Sequence, residues 1–288
     1  MLFTPPGINE YAFGTYSWGT TRPAAANGTA VTPNNLTAAY GTTAQLFTAL
    51  TYDAYGIFIN INSNAASGAS RNTVVRIGID EAGGTNYTGV INDLLCGGAP
   101  AYTVGSGGIY YYFPLFIPAG STVGAAARGS VGTAFRVGAV LQQQPLNPTL
   151  CSRGTFVETL GITLGTAIAR GVTVTPGTTA EGTPWTLIGT TTRRCWYWEY
   201  GIQMATTDTA WGANVLYTDI GIGDGSLGGT TPIITDMWSS TDATENFSKI
   251  NTAGFAEYDV PAGTNVYARM QNSGTNDAYQ IAVYGMGG

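Results

Sequence analysis

The chain contains no histidine, so acid–base and metal chemistry would fall to carboxylates, Lys, Tyr, Ser or Cys. Asp80, Glu81 and Asp93 flank one loop-like stretch, and Asp219, Asp224 and Asp236 flank another. Hard oxygen ligands of this kind suit Ca²⁺, which makes Asp80, Asp93, Asp224 and Asp236 candidate ligands. Their spacing does not match an EF-hand, and Asp in turns commonly caps its own backbone. Turn capping is therefore the expected role, with no metal and no other cofactor. G-x-S-x-G, Walker A and H-E-x-x-H are all absent. The glycine-rich run Gly221–Gly229 has no P-loop lysine and reads as a turn between strands. No carboxylate pair sits on a scaffold recognisable as a glycosidase's. The expectation is a chain with no catalytic residues, not an enzyme. Cys96, Cys151 and Cys195 are odd in number and widely spaced, and no C-x-x-C occurs, so buried free thiols are expected.

Aromatic side chains are the other candidates. Tyr110 and Tyr112 lie in YYYF, and Trp196 and Trp198 lie in CWYWEY. In a strand, adjacent rings project to opposite faces. One set fills the core, and the other either stacks on a sugar or is covered by a neighbouring domain or subunit. Burial against a partner is the favoured reading, because Tyr and Trp are enriched at interfaces. The N-terminal stretch adds Phe3, Tyr11, Phe13, Tyr16 and Trp18 behind Pro5 and Pro6. Such a segment cannot bury its rings alone. It either closes its own first domain or docks on another chain, and the docking role is the expectation.

The elements that position these residues read as strands. In YGIFININ, Tyr55, Ile57, Ile59 and Ile61 share a face, and in TVVRIGID, Thr73, Val75, Ile77 and Ile79 do. Only GVINDLLCGG and PIITDMWSS look capable of a helical turn or two. Residue n also resembles residue n+143. Gly28–Pro33 meets Gly171–Pro176, Ile77–Asp80 meets Ile220–Gly223, Val90–Asp93 meets Ile233–Asp236, and Ile117–Gly120 meets Val260–Gly263. YGI at Tyr55–Ile57 meets YGI at Tyr200–Ile202 with a slip to 145. The pattern predicts an all-β chain of two tandem homologous β-sandwich, jelly-roll-like domains. Their expected bounds are 12–145 and 153–288, with an arm at 1–11 and a proline-containing linker at 146–152.

Composition narrows the function. Charged residues are 10% of the 288, against about 25% in typical soluble domains. Apolar residues at 44% and frequent rings supply a core, so low charge does not mean disorder. A surface this poor in charge is expected to be covered by partners. Net charge is −6 and the basic residues are scattered, which excludes a nucleic-acid stripe. No apolar run reaches the ~18 residues of a membrane helix, and the N-terminus does not read as a signal peptide. Synthesis in a cytoplasm without classical export is expected.

The stretches YYYFPLFIPAGSTVGAAARGS and VVRIGIDEAGGTNYTGVINDLL, with weaker copies in the second half, resemble structural proteins of tailed-bacteriophage virions. Arg128 and Arg269 occupy the Ala-Arg slot of that pattern, while Glu257-Tyr258-Asp259 replaces Phe-Pro before the second turn. The resemblance implies a capsid decoration or cement protein located on the virion and assembled in the host cytoplasm. Its partners would be other copies of itself, as in a homotrimer or other closed ring, and virion proteins such as the major capsid protein. The alternative is a tail or fibre receptor-binding module that uses Tyr110, Trp196 or Trp198 to stack on a surface glycan.

Overall fold

The computed structural model describes residues 11–13, 28–35, 39–62, 73–96, 109–129, 135–143, 154–164, 169–178, 180–181, 185–204, 214–241, 247–248, 256–274 and 278–288. Every regular element among them is a β-strand, and the chain is an all-β sandwich protein. The first part contains β1 (Tyr11–Phe13), β2 (Thr29–Val31), β3 (Asn34–Asn35), β4 (Ala44–Phe47), β5 (Gly56–Asn62), β6 (Thr73–Asp80), β7 (Thr88–Leu95), β8 (Ile109–Phe113), β9 (Thr122–Gly129) and β10 (Phe135–Gln142). The second contains β11 (Phe156–Leu160), β12 (Thr163–Leu164), β13 (Ala169–Arg170), β14 (Val172–Val174), β15 (Thr186–Thr190) and β16 (Cys195–Met204). It continues through β17 (Asn214–Gly223), β18 (Thr230–Thr241), β19 (Phe247–Ser248), β20 (Ala256–Val260), β21 (Asn265–Asn272) and β22 (Tyr279–Gly287).

Four five-stranded sheets result. Sheet 1 runs β1-β10-β5-β8 with β2 on β10, and sheet 2 runs β3-β9-β6-β7 with β4 on β9. Sheet 3 runs β11-β22-β16-β20 with β14 on β22, and sheet 4 runs β15-β21-β17-β18-β19; β12 and β13 form a separate ribbon. Sheets 1 and 3 thus share a plan, as do 2 and 4. The period-two pattern is why. Ile57, Ile59 and Ile61 are fully buried while Phe58 and Asn60 are half-buried, and each buried side chain contributes about 1.5–3 kcal/mol. Both stretches expected to allow a helical turn are strands instead, β7 and β18. Their β-branched residues prefer the pleat, and each pairs along its length with a neighbour.

Register corrects two alignments. Ile57 lies opposite Leu141, whereas Trp198 lies opposite Gly285. With β2 and β14 matched, Ile57 therefore corresponds to Trp198, and the two YGI triplets are four residues out of step. A Cβ at Gly285 would touch the Trp198 ring, so the missing side chain makes room for the indole. Similarly Ala126 faces Arg76 and Arg269 faces Asp219, so Arg269 corresponds to Ala126 and not to Arg128.

The edge strands β7 and β8 leave rows of backbone groups without sheet partners. Side chains from sheet 3 and its approach satisfy several of them. The Tyr284 hydroxyl accepts from the Leu95 N–H at 2.8 Å and donates to the Asp93 carbonyl at 3.1 Å. Tyr197 donates to the Tyr112 carbonyl at 2.9 Å, and Thr159 to that of Asn92 at 2.6 Å. Gly154 bridges Leu115 and accepts from the Phe116 N–H. Tyr284 packs edge-on against Tyr111 and Phe113, and Tyr197 against Tyr112. Burial raises the Tyr284 and Tyr197 phenols well above their usual value, so both remain protonated donors. Gly201 lets the backbones approach, since a Cβ there would meet the Tyr111 hydroxyl and Leu95. Tyr284→Phe strands a buried N–H and a buried carbonyl, and should lower unfolding free energy by about 1–3 kcal/mol in urea titrations. An unchanged midpoint would show that the phenol does not hold the edge.

Candidate functional site

Polar side chains gather on the outer faces of sheets 2 and 4, at corresponding places. Each cluster starts at a bulge. The β6–β7 register slips between Val75 and Ile77, and the β17–β18 register slips between Thr218 and Ile220. The extra residue is Asp93 in one and Asp236 in the other, with φ of 58° and 51°. These are the non-glycine residues with positive φ among those described, and Asp tolerates that region better than most side chains.

In the first cluster Arg128, almost fully buried, donates from Nε to Asp93 Oδ1 at 3.1 Å. Tyr40 donates to the same oxygen at 2.6 Å and accepts from the Asp93 N–H at 3.2 Å. The Tyr40 ring lies 4.4 Å from the Arg76 guanidinium and 4.7 Å from that of Arg128. Burial first, then the Asp93 charge, pushes the Tyr40 phenol up. In the second cluster Asp219 stands where Arg76 stands in the first. It accepts from Arg269 Nε and Nη2 at 2.9 and 2.7 Å and from the Asp236 N–H at 2.7 Å. Arg269 also pairs with Glu181, and its guanidinium lies 4.4 Å from the Trp185 ring. The first cluster carries two cations to one carboxylate. The second carries three carboxylates, with oxygens within 4.8 Å of one another, to one cation. Burial, then the Asp219 charge, raises Glu181 above the usual carboxyl range, while Arg269 pulls it back.

The four calcium candidates do not converge. Asp80 accepts from the Ala82 and Asn86 N–H groups, and Asp224 from the Ser226 N–H and hydroxyl; both cap turns. Asp93 is held by Arg128 and Tyr40, and Asp236 joins Asp219 and Glu181 across the bulge. Of the aromatic candidates, Tyr110 is exposed and Trp196 half-buried. Tyr112 is buried with its hydroxyl on Gln142 and its ring 4.4 Å from Phe58. Trp198 is no platform: it is fully buried over Gly285 and donates its indole N–H to the Tyr258 carbonyl. Both aromatic strands are buried largely within the chain, because Tyr197 faces the first sandwich while Trp198 faces sheet 4. Phe3, Tyr16 and Trp18 lie outside the described residues. Tyr11 and Phe13 belong to β1, whose backbone pairs with β10 of the same chain, opposite Gln142 and Val140. That pairing joins β1 to sheet 1 of the same chain. Cys96 and Cys195 are buried free thiols, and Cys151 lies outside the described residues. Tyr40, Arg76, Glu181 and Trp185 were missed. Tyr40 is 53 residues from Asp93, and no local signal joins them; the Arg76–Asp219 exchange was readable in the 143-residue alignment.

No protein-family model matches the chain, and no curated protein matches it. Among solved structures it is similar to PNGase F, a glycosylasparaginase from Flavobacterium meningosepticum. Identity is 10% and the TM-score 0.32, over 91% of this chain and 93% of that one. It is also similar to the N-terminal CBM22-1-CBM22-2 tandem domain of Paenibacillus barcinonensis Xyn10C, at 11% identity and TM-score 0.22 over 98% and 94%. A third is Sulfolobus turreted icosahedral virus, at 13% and 0.22 over 85% and 56%. Likeness at this level assigns no activity. The expectation that the chain is not an enzyme is withdrawn: an enzyme is among the structures it is similar to, and likeness of fold shows neither activity nor its absence.

A raised carboxyl binds its proton more tightly in the folded protein. Its stabilisation is full below the ordinary carboxyl pKa and is lost as pH rises through the raised value. Wild-type urea midpoints should therefore fall more steeply than those of Glu181→Gln as pH rises above about 4; parallel curves would remove Glu181 from that role. Burial pushes the Cys195 thiol up to about 12 and raises Cys96 too. Alkylation of the native protein at about pH 8, mapped by peptide mass, should leave both unlabelled.

Proposed function

We propose that the chain is a structural subunit of a viral particle, of the decoration or cement kind known from tailed bacteriophages, and that its work is mechanical. It consists of two homologous sandwiches, approximately 12–145 and 153–288, joined by a short proline-containing segment. The observation that carries the reading is the capping of β7 and β8 by hydroxyls from sheet 3. This fold seals an open sandwich edge with the face of another sandwich, and neutral hydroxyls make the contacts. A chain with 10% charged residues can repeat that kind of contact with neighbours at little desolvation cost. The resemblance of the stretches around Ile117–Gly120 and Val260–Gly263 to virion proteins supports the same reading. Many such contacts would raise the cost of pulling a shell apart.

A tail-tip carbohydrate module is the second reading, favoured by one observation: Tyr110 presents an exposed ring on sheet 1. Antibody–gold labelling of particles released from cells that make the chain discriminates. Regular label over the shell is the expected result. Label confined to a tail tip, with glycan-array binding lost on Tyr110→Ala, would transfer the assignment to sugar recognition. Unlabelled particles would overturn both.

A further inference from the structure

The contact between the two sandwiches uses two different surfaces: the outer face of sheet 3, and the open edge β7/β8. Each surface has a counterpart that the other described residues leave partly open. The counterpart of the edge is β18/β20, where β19 pairs with β18 at Ser240 and Thr241, and the counterpart of the face is the outer face of sheet 1. We propose that these two meet between copies, so that the face of sheet 1 of one chain docks on the β18/β20 edge of the next. The inference rests on reading the chain as an assembly subunit, and names the surfaces it assembles through.

The exposure of corresponding residues carries it. Val74 lies opposite Leu95, and 143 residues later Tyr217 lies opposite Trp238. Leu115, beside the first edge, corresponds in the same way to Tyr258. In the first half Val74 and Leu95 are 0% exposed and Leu115 1%. In the second half Tyr217 is 38% exposed, Tyr258 42%, and Trp238 half-buried. The positions covered inside the chain at one end are thus larger, aromatic and uncovered at the other. Each such ring can bury about 150–250 Å², and Tyr and Trp dominate the energetics of protein interfaces. Backbone supports the same reading, since β20 ends its sheet as β8 does.

The facing surface fits. Across sheet 1, Val140, Phe58 and Tyr112 lie side by side, with Asn60 and Tyr110 in the next row. Phe58 and Val140 are half-buried and Tyr110 is 41% exposed. Arg136 is the charge on the described part of this face, while Asp236 and Glu257 are exposed on the edge strands, so the signs are complementary. Two unlike surfaces join head to tail, giving a ring if the rotation closes and a filament if it does not.

Light scattering on the full chain tests this. The wild type should run at a multiple of the 29.9 kDa chain mass. Tyr110→Asp, which spoils the face, and Tyr258→Lys, which spoils the edge, should each run as monomers with unchanged far-UV circular dichroism. Mixed, they should form a dimer, because one intact face then meets one intact edge. Should either charged variant misfold, Tyr110→Ser and Tyr258→Ser replace them, with the same expectations. A monomeric wild type, a variant that keeps the wild-type mass, or a mixture that stays monomeric overturns the proposal. Labelled particles with a monomeric free chain would sink this contact alone. An oligomer absent from every particle would leave the contact and remove the viral function.

Discussion

Three hydroxyls hold this molecule's two halves in register. Tyr284, Tyr197 and Thr159 answer backbone groups on β7 and β8 that their own sheets leave unpaired. An open strand edge attracts other strands, and proteins blunt such edges with charge, proline, bulges or cover. Here the cover is a second sandwich, and the means are neutral hydroxyls, which suits a chain with few charges to spend. The consequence runs through sheet 3. Its strands must be apolar on one face for sheet 4 and suited to the first sandwich on the other, so β16 and β22 are buried along nearly their whole described length.

The two halves are close in plan and unequal in detail. Both halves keep the bulge, the left-handed aspartate and a guanidinium on an aromatic ring. The partner at the 76/219 position changes from Arg to Asp, and the local charge changes sign with it. A cluster built on pairing backbone, carboxylate and guanidinium keeps its shape when one charge is exchanged, provided another group restores partners. Tyr40 does so in the first half and Glu181 in the second. Burial first, and then the charge of Asp219, raise Glu181 in the second cluster. The same arrangement locks β18 to β17 and β21 through side chains as well as through the backbone ladder.

Strand identity and the sandwich class were legible because they rest on local alternation and short turn motifs. Ile57, Ile59 and Ile61 announce a buried face through spacing alone, and Pro-Ala-Gly announces a turn through φ preferences. The register of β16 was not legible. YGI occurs twice, and a three-residue match outweighs in the eye what the opposing strand needs, namely Trp198 over Gly285. The clusters were half legible: their aspartates and arginines stood in the repeat, while Tyr40, Glu181 and Trp185 arrive from segments 35 or more residues away.

By itself the sequence determined what each segment prefers: extended backbone, one apolar side, tight turns, and too few charges for a bare surface. Tertiary structure decided which of two apolar sides met which neighbour. That choice buried Trp198, exposed Tyr217 and Tyr258, and brought an arginine and three carboxylates to one bulge. Preferences along a chain depend on a residue and its nearest neighbours, whereas coverage and pairing depend on surfaces formed only once distant strands have packed.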